Sequence, residues 1–266
     1  MIQTILITGG NGYIAQSLAK SLSEYNIITR PRQELDISNS EQVDEFFNSH
    51  QVDYVIHTAT KGGKRTLPDT QEVYDTDLAM FNNLARHSDK YKRMFVFGSG
   101  AEFTLQPPFY GKVKREITQL TSQYDNITVL RLYGCFGELE EPQRFFKNNL
   151  TKYYKREALE VHNNIYMDFF YDKDIATVIK TYIQDNSLPS ILDLAYSGKF
   201  RLGELAAMIS SLDDHKVDIA VGDSNNNHYT SSVRLPEVVE SRLVGLYEGM
   251  RTSYNNIKNE QYKLLH

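Results

Sequence analysis

The amino-acid sequence predicts an α/β fold, a doubly wound parallel sheet with a small C-terminal lobe. Two observations support this prediction. Short β-branched or apolar runs alternate with amphipathic stretches through the first half of the 266 residues, which is typical of consecutive βαβ units. After about residue 140 the rhythm changes to a basic, aromatic stretch and then to less regular sequence. We therefore expect one large α/β domain and a smaller lobe.

Five apolar runs supply the predicted strands. They cover residues 5–8, 26–29, 54–59, 95–99 and 128–134. The stretches near residues 12–43, 70–88 and 110–124 have helical spacing or helix start signals, such as Ser38 and Ser40 ahead of EQVDEFF. Because crossovers between parallel strands are right-handed, the carboxyl ends of these strands lie at one edge of the sheet.

Composition and charge exclude several classes of protein. A formal net charge of -5 and a pI near 5.8 give no basic field for a nucleic-acid backbone. No apolar run approaches the roughly 20 residues that cross a bilayer, and the opening MIQTILITGG has no signal-peptide pattern. Cys135 is the only cysteine, so no intrachain disulfide can form. We expect a cytoplasmic protein without a nucleic-acid or membrane partner, and no residue spacing suggests a metal site.

A glycine-rich loop follows the first predicted strand and directly precedes a helix. The run LITGGNGYIA places Gly9, Gly12 and Ala15 at three-residue intervals. Gly9 permits a tight turn, Gly12 lets the backbone approach a pyrophosphate, and Ala15 allows close packing of helix and strand. The helix N-terminus, at Tyr13 and Ile14, then faces the anion. This context predicts a Rossmann-type dinucleotide site.

The end of the second predicted strand bears on which dinucleotide binds. An acidic residue at this place binds the ribose 2′-hydroxyl of NAD, whereas arginine accepts the 2′-phosphate of NADP. The sequence has Arg30 and Arg32 there, and a guanidinium suits a phosphate. We therefore expect NADP(H) in preference to NAD(H), with Asp36 and Ile37 beside the adenine.

A tyrosine and a lysine lie four residues apart in YGKVK, and on a helix Tyr110 and Lys114 share one face. A free tyrosine, with a pKa of about 10, is a poor acid–base group at neutral pH, and a neighbouring ammonium lowers that pKa. Ser99, at the end of the fourth strand, can hydrogen-bond a substrate carbonyl at the same edge. We predict that Tyr110 transfers a proton, while Lys114 lowers its pKa and holds the cofactor ribose.

These motifs resemble those of the extended short-chain dehydrogenase/reductase family, whose members act on nucleotide-linked sugars. TGGNGYIA resembles its TGxxGxxA/G signature, and Ser99, Tyr110 and Lys114 match its serine and YxxxK motif. LRLYGCFG, FFYDKDIA and the ending LVGLYEGMRTSYNNIK are similar to three further segments, so the likeness covers nearly the whole chain. The resemblance implies a nicotinamide cofactor, a nucleotide-sugar substrate and a homodimer.

Within the family, RPRQELDISNSEQVDEFF and HTATKGG are most similar to the GDP-fucose synthase branch. That branch epimerises its sugar with a cysteine just after the serine and a histidine just after the LYG segment, and then reduces the 4-keto group. This chain has Ala101 and Phe136 at those places, and neither side chain transfers a proton. The resemblance thus implies NAD(P)H-dependent reduction of the 4-keto group of a nucleotide diphospho-deoxysugar, without epimerisation.

Other functions stay open. The dehydratase branch carries Asp and Glu after the position of Ser99, where this chain has Gly100 and Ala101, although Glu102 lies one step further on. A sugar 4-epimerase would retain tightly bound NAD. A non-catalytic dinucleotide-binding regulator would keep the fold without turnover. Near the expected nicotinamide, the resemblance gives residues 61–63 a modest functional role, whereas Lys64 and Arg65 are expected to be solvated.

The predicted domains follow from these assignments. Residues 1–158 form the dinucleotide-binding domain, to which residues 172–196 return. Residues 159–171 and 197–266 form the small lobe, which binds the substrate.

Overall fold

Six strands form the central sheet of a first unit, Met1–Leu132 with Tyr182–Asp193. They are β1 (Thr4–Thr8), β2 (Asn26–Thr29), β3 (Tyr54–His57), β4 (Arg93–Ser99), β5 (Ile127–Leu132) and β9 (Ile191–Leu194), in the order β2-β1-β3-β4-β5-β9. The pairs among β1 to β5 are all parallel. The computed structural model describes residues 2–63 and 67–265, with side chains up to Glu260. The predicted doubly wound parallel sheet is confirmed.

The sheet is buried because helices cover both of its faces, so the strands are almost continuously apolar. The helices of this unit are α1 (Tyr13–Ser21), α2 (Ser40–Ser49), α3 (Gln71–Ala85) and α4 (Phe109–Leu120). Leu6, Val55 and Met94 belong to a core cluster with residues of α2, α3 and α4. On the next residue of β4, Phe95 contacts Tyr182 with a ring separation of 5.9 Å. Alternation along each strand thus supplies both layers of the core.

Helix α2 is capped by Asn39, which lies between the two predicted start signals, Ser38 and Ser40. The side chain of Asn39 accepts hydrogen bonds from the backbone N–H groups of Glu41 and Gln42, at 3.0 and 3.2 Å. Ser38 instead donates its hydroxyl to Asp36 at 2.6 Å. The helix begins at Ser40, one of the two predicted start signals, and its N-cap is Asn39, because asparagine is an equally strong N-cap.

The order of the strands in the sheet changes direction at β1, which is the topological switch point. Strand β2 pairs with one side of β1, and β3 pairs with the other. Ligands of open α/β sheets bind outside the carboxyl ends of the strands at such a switch point. The fold therefore places the loop after β1 and the loop after β3 at the expected binding position.

A second unit comprises Tyr133–Thr181 and Leu194–His266. It contains β6 (Cys135–Phe136), β7 (Leu159–Met167), β8 (Phe170–Tyr171), β10 (Ile219–Tyr229), α5 (Phe145–Tyr154), α7 (Leu202–Ile209), α8 (Glu237–Glu240) and α9 (Leu246–Leu265). Helix α6 (Asp172–Gln184) begins here and ends in the first unit. Strands β7 and β10 form a parallel pair, as do β6 and β8.

The two units divide after Leu132, whereas the sequence predicted a boundary at residue 158. The difference comes from α5, whose apolar face supplies Phe146 and Tyr153 to the core of the second unit, together with Leu159 and Met250. Among the residues that the structure describes, none of the helices combines the length and apolarity needed to cross a lipid bilayer.

Candidate active site

The glycine-rich loop has the backbone geometry that an anion site requires. Gly9 has φ +67°, and a Cβ there would lie 2.9 Å from the Cα of Ala59, so only glycine suits this position. The N–H of Gly12 donates to the carbonyl of Gly9 at 2.7 Å, which closes the turn. Helix α1 begins at Tyr13, and Gly12 as N-cap has no side chain to occupy the N–H groups of the first turn. The N-terminus of a helix is in general a favourable place for an anion such as a diphosphate.

Arg30 directly follows β2, and Arg32 lies two residues further on. Arg30 is within 3.5 Å of Glu34, and Arg32 is within 2.9 Å of Asp36. The side chain of Arg32 is exposed, whereas that of Arg30 is half-buried and donates to the carbonyl of Thr29 at 3.1 Å. The side chain of Ile37, in contrast, is buried in the core cluster of the first unit.

Ser99, Tyr110 and Lys114 come together at the carboxyl end of β4. Ser99 is the last residue of that strand, and Tyr110 and Lys114 lie in the first two turns of α4. The hydroxyls of Ser99 and Tyr110 are hydrogen-bonded. The ammonium of Lys114 lies 5.6 Å from the centre of the Tyr110 ring. The predicted one-face arrangement of the tyrosine and the lysine is present.

The pKa of Tyr110 differs from the prediction. Burial of the phenol, together with the negative charges of Asp77, Glu102 and Asp69, raises that pKa to about 12. The expectation that Lys114 lowers the pKa of Tyr110 below its ordinary value was wrong. The ammonium lies over the ring, and the negative charges of three carboxylates act on the phenol. The phenol of Tyr110 is therefore protonated throughout the physiological pH range.

Lys114 is 5% exposed. Burial lowers the pKa of its ammonium, and the negative charges of Asp77 and Glu102 oppose that change. Within the described part of the chain, the ammonium has no hydrogen-bond acceptor. A buried ammonium without an acceptor is suited to a ligand that brings hydroxyl groups.

His57 lies at the end of β3 and has a structural role. Its ring is buried, and Nδ1 is 2.9 Å from the hydroxyl of Thr8. Burial and the charge of Lys114 lower the pKa of His57 to about 3, so the ring is neutral at physiological pH.

Glu102 is held away from acid–base work by its own hydrogen bonds. Its carboxylate accepts the backbone N–H of Ser99 at 2.7 Å and the Nε of Arg131 at 3.2 Å. Arg131 also contacts Asp193 at 2.5 Å, so the three buried charges form a network. With both carboxylate oxygens engaged, Glu102 does not resemble the free acid that a dehydratase needs.

The two positions at which the epimerising branch carries proton-transfer groups hold apolar side chains in different environments. Ala101 follows β4 in a short 3-10 turn, and its N–H donates to the Ser99 hydroxyl at 3.2 Å. Phe136 is fully buried in the core of the second unit, where its ring stacks on Phe146 at 4.3 Å. Phe136 therefore has a packing role.

One residue of the site escaped the sequence analysis. Asp77, in the middle of α3, is 1% exposed and accepts hydrogen bonds from Thr60 and Lys61 of the loop after β3. In the run EVYDTDLAMF, Asp77 lies on the same helical face as the buried residues Val73, Met80 and Phe81, and this spacing could have identified it as a buried acid. The predicted loop residues Lys64 and Arg65 lie outside the described residues.

A cluster of possible metal ligands, Asp213, Asp214 and His215, lies in the described part of the second unit. Both aspartates are exposed, and Asp213 pairs with Lys258 at 2.9 Å. The imidazole Nε2 of His215 is 3.0 Å from the carbonyl of Tyr153. These contacts account for the cluster as surface pairing.

The sequence profile of the NAD dependent epimerase/dehydratase family matches residues 5–194. No curated protein matches this chain in sequence.

Several solved structures share the fold over nearly the whole chain. A GDP-mannoheptose C4 reductase from Campylobacter jejuni with NADP bound is 18% identical, with a TM-score of 0.77 over 97% of this chain and 98% of that chain. A GDP-L-fucose synthetase from Naegleria fowleri is 15% identical, with a TM-score of 0.75 over 98% and 94%. A UDP-glucose 4-epimerase from Thermus thermophilus in complex with NAD is 15% identical, with a TM-score of 0.74 over 96% and 99%. These similarities establish the Rossmann-type fold.

Proposed function

Because the chain belongs to the NAD-dependent epimerase/dehydratase family, we propose that it is an NAD(P)H-dependent oxidoreductase acting on nucleotide sugars. Its reaction is reduction of the 4-keto group of a nucleotide diphospho-deoxysugar, without epimerisation. The observation that carries the proposal is the hydrogen bond between Ser99 and Tyr110, beside the ammonium of Lys114. The similar structure of a GDP-mannoheptose C4 reductase supports the same class of reaction.

The residues at the sheet edge suit a nicotinamide dinucleotide. The loop from Gly9 to Gly12 and the N-terminus of α1 would hold the diphosphate. The guanidinium groups of Arg30 and Arg32 would hold a 2′-phosphate, which favours NADP(H) over NAD(H). Lys114 would donate to ribose hydroxyls, for which its ammonium is available.

The chemistry of the chain itself is proton transfer. A bound reduced nicotinamide supplies the hydride that goes to the carbonyl carbon. Tyr110 donates its phenolic proton to the carbonyl oxygen as that oxygen gains negative charge, and Ser99 orients the same oxygen. A phenol with a pKa of about 12 is fully protonated before the reaction, which suits reduction.

Epimerisation of a carbon next to the ketone needs an additional base and acid. Ala101 offers only a methyl group beside Ser99, and Phe136 belongs to the core of the second unit. We therefore infer that the sugar keeps its configuration at the neighbouring carbons. We assign nucleotide-sugar binding to the predicted lobe, and we expect a homodimer from the family resemblance.

Oxidation of NADPH, with NADH in parallel, tests this function. The substrates are GDP- and dTDP-linked 4-keto-6-deoxy sugars, and the key variant is Tyr110→Phe. Tyr74→Phe is the matched control, because Tyr74 also donates its phenol hydrogen to a side chain, that of Glu116 on α4. We expect turnover with NADPH that is lost in Tyr110→Phe and kept in Tyr74→Phe.

The remaining outcomes separate the alternatives. A product inverted beside the new alcohol would refute the absence of epimerase activity. No oxidation of either cofactor, together with NAD that copurifies, would favour the 4-epimerase. Full activity of Tyr110→Phe would show that Tyr110 is not the proton donor.

A further inference from the structure

Carboxylates of α3 and of the segment before it fix the loop after β3, residues 58–63, which we call the β3 loop. Asp77 accepts the hydroxyl of Thr60 at 2.5 Å and the N–H of Lys61 at 2.7 Å. The ammonium of Lys61 also pairs with Glu72. At the end of the loop, the N–H of Gly63 donates to Asp69 at 3.1 Å. Of these acids, Asp77 is the buried one and contacts the loop with both oxygens.

The β3 loop lies directly against the ring of Tyr110. A Cβ at Gly63 would lie 3.0 Å from two ring carbons of Tyr110, and one at Gly62 would lie 3.3 Å from a third. Gly63 has φ +77°, a conformation that glycine adopts without strain. The loop and α4 therefore enclose the tyrosine, so that a shift of the loop would change the position of the phenol.

Asp77 also acts on the site through its charge. Among the negative charges that raise the pKa of Tyr110, that of Asp77 has the largest effect. It also has the largest effect among the charges that raise the pKa of Lys114 against the lowering by burial. Three further titratable groups face this pair: Glu102 from the turn after β4, Asp69 from the segment before α3, and His57 from β3. Glu102 shares the guanidinium of Arg131 with Asp193, and His57 carries no charge at physiological pH. Among the described residues, the hydrogen-bond partners of Asp77 are neutral groups, the hydroxyl of Thr60 and the N–H of Lys61.

We propose that Asp77 is a positioning residue for Tyr110 and Lys114. Its buried carboxylate supplies the counter-charge of the Lys114 ammonium and holds the β3 loop against the Tyr110 ring. The effect is a tyrosine that keeps its proton until the alkoxide of the product forms. The role of Asp77 in catalysis rests on the proposed function. Its effect on the pKa of Tyr110 does not, because that effect is present in the protein without ligands.

The test is the titration of Tyr110 in Asp77→Asn. Asparagine has the same shape, and its amide oxygen can accept the N–H of Lys61. Protein labelled with ¹³C at the tyrosine ζ carbon is titrated without ligands, and the resonance of Tyr110 is the one missing in Tyr110→Phe. We expect the midpoint of Tyr110 to fall by on the order of one pH unit in Asp77→Asn. The alkaline limb of kcat for NADPH-dependent reduction should fall with it. The control is Asp75→Asn, an exposed acid on the same helix, which should leave both unchanged.

An unchanged Tyr110 midpoint in Asp77→Asn would overturn the inference, even if activity or stability fell, because packing alone would then explain the loss. If Asp77→Asn does not fold, Asp77→Ser removes the same charge with less bulk and is judged by the same midpoint. A shifted midpoint in a protein that oxidises no cofactor would refute the proposed function and keep this inference. If turnover requires Tyr110 but the midpoint of Tyr110 is not shifted in Asp77→Asn, the proposed function is supported and this inference is refuted.

Discussion

The hydroxyl of Ser99 is hydrogen-bonded to the phenol of Tyr110, and the same serine oxygen accepts the N–H of Ala101 at 3.2 Å. The last residue of β4 therefore both caps the turn that follows and contacts the proposed proton donor. A carbonyl oxygen that binds at Tyr110 would meet two hydroxyl groups.

We expect Ser99→Ala to lower kcat by about 10²-fold, the typical effect of removing one donor to a developing oxyanion. Loss of the cap should cost about 1 kcal/mol of folding free energy, which leaves the protein folded. Steady-state NADPH oxidation and thermal unfolding of the same sample separate the two effects. A kcat within twofold of the wild type would show that Ser99 does not contact the reacting carbonyl.

Gly63→Ala should damage activity more than stability. Its φ of +77° makes alanine strained by about 1 kcal/mol, and its Cβ would press on the Tyr110 ring from 3.0 Å. Gly245→Ala is the matched control, because φ is +88° there and no described atom lies within 4 Å of its Cβ. Both variants should lose similar stability in urea unfolding, and only Gly63→Ala should lose kcat. Equal activity of the two variants would mean that the β3 loop does not position Tyr110.

The proposed preference for NADP(H) rests on Arg30 and Arg32. We expect Arg30→Ala and Arg32→Ala each to raise KM for NADPH by about tenfold or more, because each removes a charged hydrogen-bond donor to phosphate, and to leave KM for NADH unchanged. Arg86→Ala, which removes an exposed arginine paired with Asp44, is the control. A wild-type protein that prefers NADH would contradict the prediction. It would indicate that an acid such as Asp36 binds the ribose 2′-hydroxyl of NAD.

The sequence could predict those parts of the site that are local in the chain. The glycine loop and the pairing of Tyr110 with Lys114 follow from spacing within a single turn or helix, and their elements are present as expected. The electrostatics of Tyr110 could not be predicted in this way. Asp77 lies on a different helix from Tyr110, and the carboxylate of Glu102 accepts the backbone N–H of Ser99. The effect of these two charges on the pKa of Tyr110 therefore depends on tertiary packing. For this reason the sequence predicted a lowered pKa for Tyr110, whereas its pKa is raised.

A buried acid in the second unit makes stability depend on pH. Glu140 is 4% exposed, and its Oε1 has no hydrogen-bond partner among the described residues. Its Oε2 accepts the N–H of Lys147 at 3.0 Å. Burial raises the pKa of Glu140 from 4.5 to about 8, and the negative charge of Asp172 adds to this, while Arg144 and Lys147 act against it.

A folded-state pKa above the unfolded value means that the folded chain binds the extra proton. The contribution of Glu140 to stability is therefore complete below about pH 4.5 and is lost as the pH rises to about 8. Glu140→Gln removes the titration, since the amide stays neutral and can still accept the N–H of Lys147. We expect this variant to be more stable than the wild type at pH 8.5 and close to it at pH 5. Urea unfolding at both pH values measures the difference, with Glu141→Gln as the exposed neighbouring control. A stability difference that is equal at the two pH values would show that Glu140 is ionised throughout this range in the folded protein.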